Sequence, residues 1–192
     1  MSDASADMAD IGRVLAGDVD AFGRLVERYQ DHVMRIVRRH VPPDRVEETA
    51  QDALVRAYQS LAGFRQAESF RQWLSAITVR TCYDFWRRRY RRREVAVSQL
   101  SEAHRQWLEK VQAVDAGDTW QHLGDRAEAR EILDAAMARL SAEDRMVIEL
   151  VHLEERSVAE AARLLGWSRT NVKVRAFRAR KRLHQIILEG LS

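Results

Sequence analysis

Two clusters of side chains in this sequence are suited to a chemistry, and in both the chemistry is the holding of nucleic acid rather than the making of bonds. In TCYDFWRRRYRRR, Tyr83, Phe85, Trp86 and Tyr90 interleave with Arg80, Arg87, Arg88, Arg89, Arg91, Arg92 and Arg93. Aromatic faces stack unpaired bases at about 1–3 kcal/mol per base, and guanidinium groups neutralise the backbone. Arg80, Tyr83, Trp86 and Arg87 are the candidates for that contact. In SVAEAARLLGWSRTNVKVRAFRARKRL a short helix, a glycine turn and a longer helix follow one another, which is helix-turn-helix grammar. Val172, Ala176, Ala179 and Leu183 fall on one stripe of the longer helix, so Arg169, Asn171, Lys173, Arg175, Arg178 and Lys181 project elsewhere with no acid among them. Such a face suits a major groove, where early side chains reach base edges and later cations hold phosphates.

Catalysis finds no comparable cluster. The six histidines (His32, His40, His104, His122, His152, His184) are scattered without partner spacing, no glycine-rich phosphate loop is present, and the glutamate pairs sit on solvated helix faces. The sequence therefore predicts no enzyme, no metal and no cofactor. Cys82 is the single cysteine; it excludes an internal disulfide framework, suits a reducing cytoplasm, and reads as a small core residue.

The elements that must carry these clusters are helical. Only two prolines, Pro42 and Pro43, and eight glycines punctuate a chain rich in Ala, Leu, Arg and Glu. Phe22, Leu25, Val26, Tyr29, Val33, Ile36 and Val37 recur at helical steps up to the proline pair, and a second stripe runs from Val46 to Leu61. Capping spacings (Asp44 with Glu47, Ser69 with Gln72, Ser141 with Asp144, Ser157 with Glu160) mark helix starts, and Gly166 marks a tight turn. From about Glu94 to Arg126 the periodicity weakens, apart from a short helix expected around Trp107.

The expected fold class is thus all-α, two small helical domains joined by a flexible linker. The divisions fall at 1–10, an acidic disordered tail; 11–94, the first domain; 95–127, the linker; and 128–192, the helix-turn-helix domain. The amino terminus lacks the basic start and apolar stretch of a secretory signal. No segment approaches the roughly 20 apolar residues of a membrane helix, so no membrane insertion is expected. The formal net charge is only +3, but the cations are bunched, so the mean hides two basic surfaces.

The stretch DRVEETAQDALVRAY, followed by FRQWLSAITVRTCYDFWRRR, resembles region two of the extracytoplasmic-function sigma factors of bacterial RNA polymerase. LSAEDRMVIEL with the helix-turn-helix resembles their region four. The two blocks, in the right order, cover nearly all of the chain except tail and linker. The resemblance implies a sigma factor that directs polymerase to promoters, assists melting, and is held by an anti-sigma partner, often membrane-tethered. It places Glu47, Glu48, Gln51, Asp52 and Arg56 on the clamp helices of the polymerase largest subunit. Phe64 and Arg65, in the loop Gly63–Ser69, would capture a flipped base of the minus-10 element, with the arginine-rich helix on the upstream duplex. Arg169, Asn171, Lys173, Arg175, Phe177 and Arg178 would read the minus-35 element. Val174 departs from the small polar residue that family members often carry there. Linker acids Glu109, Asp115 and Asp118 would lie near the template path or RNA exit.

About thirty linker residues reach at most roughly 100 Å, enough for elements about two helical turns, or about 70 Å, apart. A conventional helix-turn-helix regulator acting without polymerase would leave the amino-terminal block unexplained. A purely protein-binding adaptor would leave both cationic faces unused.

Overall fold

The structure, a computed structural model, describes residues 3–65, 69–95 and 126–191. Among these residues there are helices and no strand, as the periodicity predicts. The expected helix near Trp107 and the linker acids lie outside the described residues. The chain divides into two compact units, Met1–Trp86 with Ala162–Ser168 in one and Arg87–Ala161 with Arg169–Ser192 in the other.

In the first unit, α2 (Asp20–His40) buries Ala21, Leu25, Tyr29, Val33 and Val37, the stripe read from the sequence. Pro42 and Pro43 end it, since neither can donate an N–H to continue the ladder. Helix α3 (Val46–Ser60) turns Thr49, Ala50, Ala53 and Ala57 inward; such small residues let its backbone approach α2 closely. The expected Asp44–Glu47 cap is not formed. A 3-10 turn at Pro43–Arg45 precedes α3, its capping residue is Arg45 without a side-chain cap bond, and Arg45 instead pairs with Glu48 at 3.0 Å and Asp44 at 3.3 Å. The ring of Pro43 favours that turn by fixing its φ. Helix α4 (Phe70–Val95) starts where expected, with Ser69 Oγ accepting the Gln72 N–H at 3.3 Å. Its inner residues include Phe70, Leu74, Thr78, Cys82 and Trp86, and the Thr78 and Thr81 hydroxyls donate to carbonyls four residues back.

The amino terminus is not a tail: Asp3–Leu15 forms helix α1, packed on α2. The reason is ionic. Asp7 and Asp10 face inward with Ile11 and meet Arg24, Arg28 and Tyr29 of α2. Asp10 accepts from Arg24 at 2.7 Å and Arg28 at 3.0 Å, and Tyr29 donates to Asp7 at 2.6 Å. Buried carboxylates are tolerated when each is paired in this way.

In the second unit, α5 (Arg126–Met137) and α6 (Ala142–Ile148) pack against the long α8 (Arg169–Leu191). Their shared core holds Ala136, Met137, Leu140, Ile148, Ala179 and Ile186. Ser141 caps α6 as expected, accepting the Asp144 N–H at 3.2 Å. The helix then widens into a π turn at Glu149–Leu153, with the Glu154 N–H reaching the Glu149 carbonyl at 2.8 Å. Glu149 is buried there and answered by Arg145 at 2.8 Å.

Candidate nucleic-acid interface

The helix-turn-helix is built by local bonds that the sequence specifies. Helix α7 (Val158–Leu165) opens with a reciprocal capping box, in which Ser157 Oγ accepts the Glu160 N–H at 3.2 Å and Glu160 accepts the Ser157 N–H at 3.1 Å. It ends in a Schellman turn. The Trp167 N–H reaches the Ala162 carbonyl at 2.9 Å, the Gly166 N–H reaches Arg163 at 3.3 Å, and Gly166 has φ 73°, which favours glycine. The chain leaves this turn directly into α8.

On α8 the predicted inner stripe is found: Val172, Ala176 and Ala179 are buried and Leu183 packs on the core. Arg169, Asn171, Lys173, Phe177 and Arg178 are exposed, as a groove-reading face requires. Arg175 departs from the prediction. It lines the α8 groove, but its guanidinium is half-buried and paired with Asp144 of α6 at 2.8 Å. An open groove of about 660 Å³ runs along α8, lined by Asn171, Val174, Phe177, Arg178, Lys181 and Arg182, and by two acids that are each paired with a cation of the same groove, Asp144 with Arg175 at 2.8 Å and Glu189 with Arg139 at 3.3 Å. Arg182 and, from the α5–α6 turn, Arg139 are cations of this groove that the sequence reading omits. Arg182 was findable, since it stands one helical turn after Arg178; Arg139 becomes a neighbour only through tertiary packing.

The arginine-rich cluster divides between surface and core. Arg80 and Arg87 are exposed and Tyr83 is half-buried, and with Arg91 they occupy positions i, i+3, i+7 and i+11 of one α4 face; Arg80 departs from the prediction, since its guanidinium donates to the Leu164 carbonyl at 3.2 Å and the Arg163 carbonyl at 3.3 Å. Trp86 does not belong to that face. It is 5% exposed and donates its indole N–H to the His40 carbonyl at 2.6 Å, so it is a core residue with no free ring face for a base. Phe64 is half-buried, with its ring edge-to-face against Phe70 at 5.8 Å and Trp73 at 5.4 Å. Arg65 beside it is exposed, while residues 66–68 of the loop lie outside the described residues.

The outward face of α3 carries Glu47, Glu48 and Gln51 exposed and Asp52 half-exposed, opposite the buried alanines. Arg56 is otherwise engaged, bridging to Asp84 of α4 at 2.5 Å, so it ties two helices together rather than standing free for a partner.

Residues 25–92 match the family described as Sigma-70 region 2, and residues 130–183 match Sigma-70, region 4. The ECF RNA polymerase sigma-E factor of Escherichia coli strain K12 is 32% identical over 187 residues, 94% of this chain and 94% of that protein. The chain belongs to the ECF sigma factors of the sigma-70 family. Among solved structures, CnrH in complex with the cytosolic domain of CnrY is 25% identical, with a TM-score of 0.53 over 97% of this chain and 99% of that one. The sigma factor RpoE of Bartonella quintana, solved with the anti-sigma factor NepR, shares the fold at 22% identity and a TM-score of 0.52, covering 88% of this chain and 98% of that one. As an ECF sigma factor the protein is a DNA-binding transcription initiation factor that works with RNA polymerase core at promoters, and it is not an enzyme. No described helix is long and apolar enough to cross a membrane.

Proposed function

We propose that this ECF sigma factor divides its work between region 2 over 11–94 and region 4 over 128–192, with 95–127 as the connection. The acidic face of α3, with Glu47, Glu48, Gln51 and Asp52, docks on the clamp helices of the polymerase largest subunit. Arg65, with Phe64 behind it, takes a flipped base of the minus-10 element, and Tyr83 and Arg87 hold the adjoining DNA, while Arg80 is held by the Leu164 and Arg163 carbonyls. Arg169, Asn171, Lys173, Phe177 and Arg178 read the minus-35 element, while Arg175 positions α8 through Asp144. The protein acts in the cytoplasm and is restrained by an anti-sigma factor; the two solved relatives captured with CnrY and NepR support that control.

The observation that carries this reading is the exposed face of α8 from Arg169 to Arg182, which carries no acid of its own and directly follows a Schellman-closed turn. Run-off transcription with core polymerase and promoter fragments selected from a random pool tests it. Arg65→Ala should lose more activity on duplex than on pre-melted templates, because only the former requires a base to be trapped as it leaves the stack. Equal loss on both would remove the melting role from Arg65.

A further inference from the structure

In its amino-terminal half the outer face of α8 carries two large apolar side chains that the core of the second unit does not use. Val174 is 43% exposed and Phe177 74% exposed, on a surface whose other members are Arg169, Asn171, Lys173, Arg178 and Lys181. Val174 and Phe177 stand three residues apart, so they are neighbours on one side of the helix, with Asn171 one turn before and Lys181 one turn after. All four line the same open groove. The core of the second unit is closed without them, by Val172, Ala176 and Ala179. Apolar surface of this size in water is unfavourable, and covering it when the helix is in use recovers that free energy.

The cations around the pair select a polyanion as the cover. In the major groove of a duplex, the apolar group that a polyanion presents to a side chain is the 5-methyl of thymine. We infer that Val174 and Phe177 are thymine-methyl readers, specifying T at two neighbouring positions of the upstream promoter element. The spacing agrees. At about 1.5 Å rise per residue the two side chains are about 4.5 Å apart along α8, close to the about 3.4 Å between successive nucleotides of one strand. Valine has no donor or acceptor, so the departure at 174 exchanges a hydrogen-bonding position for one that senses only shape and methyl content. Asn171 and Arg178 remain to read the hydrogen-bonding edges of flanking bases. This inference rests on the assignment of α8 to the minus-35 element.

The test uses holoenzyme assembled from core polymerase and the full chain, and duplexes first selected by it from a random pool. Each thymine of the selected upstream block is then replaced by deoxyuridine, which lacks only the methyl. At two positions the replacement should weaken wild-type binding about four-fold, the size expected for burying one methyl-sized group. Val174→Ser should abolish the thymine preference at one of these positions, and Phe177→Ala at the other. Val174→Thr, which keeps a methyl, should retain part of it, and Lys173→Ala should lower binding to both duplexes alike. A wild-type ratio near one at every position would overturn the inference. So would a Val174→Ser holoenzyme that keeps the full ratio, including the case in which the variant loses only its hold on polymerase or another protein. Failure to enrich any upstream block would instead sink the promoter assignment of α8 itself.

Discussion

Trp86 and Arg65 sit in the same cation-rich half of the protein and have opposite duties. The indole of Trp86 is buried with its N–H on the His40 carbonyl, a bond that ties α4 to the end of α2. Trp86→Phe removes the donor and leaves that carbonyl to find another partner, at a cost of about 1 kcal/mol. The expected outcome is a lower thermal midpoint by circular dichroism, with transcription from duplex and pre-melted templates falling in equal proportion. A loss confined to duplex templates would return the ring to the DNA. The distinction was legible in spacing: Leu74, Thr78, Cys82 and Trp86 follow at four-residue steps and form the inner row of α4, while Arg80, Tyr83 and Arg87 follow a different row. Aromatic content alone conceals this, because rings serve cores and bases equally well. Arg175 is different in kind. Its partner Asp144 lies 31 residues away in sequence, so no local pattern announces that this cation of α8 is tied to a carboxylate of α6.

Helix α1 is held by charge rather than by an apolar stripe, which is why the sequence reads as a tail there while α2, α3 and α8 are evident from their hydrophobic rows. The inner row of α1 is Asp7, Asp10 and Ile11, and its meaning emerges only when Arg24, Arg28 and Tyr29 of α2 are brought against it. The hydrogen bond from Arg24, aided by Arg28 and opposed by burial, holds the Asp10 carboxyl below its ordinary range. A depressed carboxylate pKa stabilises the fold above the unfolded value and ceases to do so as pH falls through the folded one. Asp10→Asn should therefore lower the urea midpoint at pH 7, and the gap from wild type should close as pH drops below about 4, the ordinary carboxylate range. A gap that stays constant with pH would mean that packing, not charge, docks α1. The second unit offers the parallel case at α6. Asp144→Ala and Arg175→Ala should each weaken minus-35 selectivity, and the double variant should be little worse than either, since both break one pairing. Additive losses would show that Arg175 also reaches DNA directly.

Across the whole molecule a net charge of +3 is the balance of faces of unlike sign, among them an acidic α3 face and the cationic faces of α4 and α8. Because the α3 and α8 faces belong to different units, the two partners should be lost one at a time. Glu47 and Glu48 are exposed at the start of α3, and the ion pair of Glu48 with Arg45 at 3.0 Å lies on the surface where such pairs contribute little. Glu47→Lys with Glu48→Lys should consequently fold, fail to co-elute with core polymerase, and keep its salt-dependent association with duplex DNA. Lys181→Ala with Arg182→Ala, exposed cations of the α8 groove, should do the reverse: it should co-elute normally, while the slope of log affinity against log salt becomes shallower by about 0.9 for each phosphate contact removed. Both faces are rigidly presented by helices whose cores lie on the other side, so neither substitution has a packing route to the opposite partner. If the α3 reversal also abolished duplex binding, or the α8 variant lost polymerase, the division of labour between the two units would be wrong.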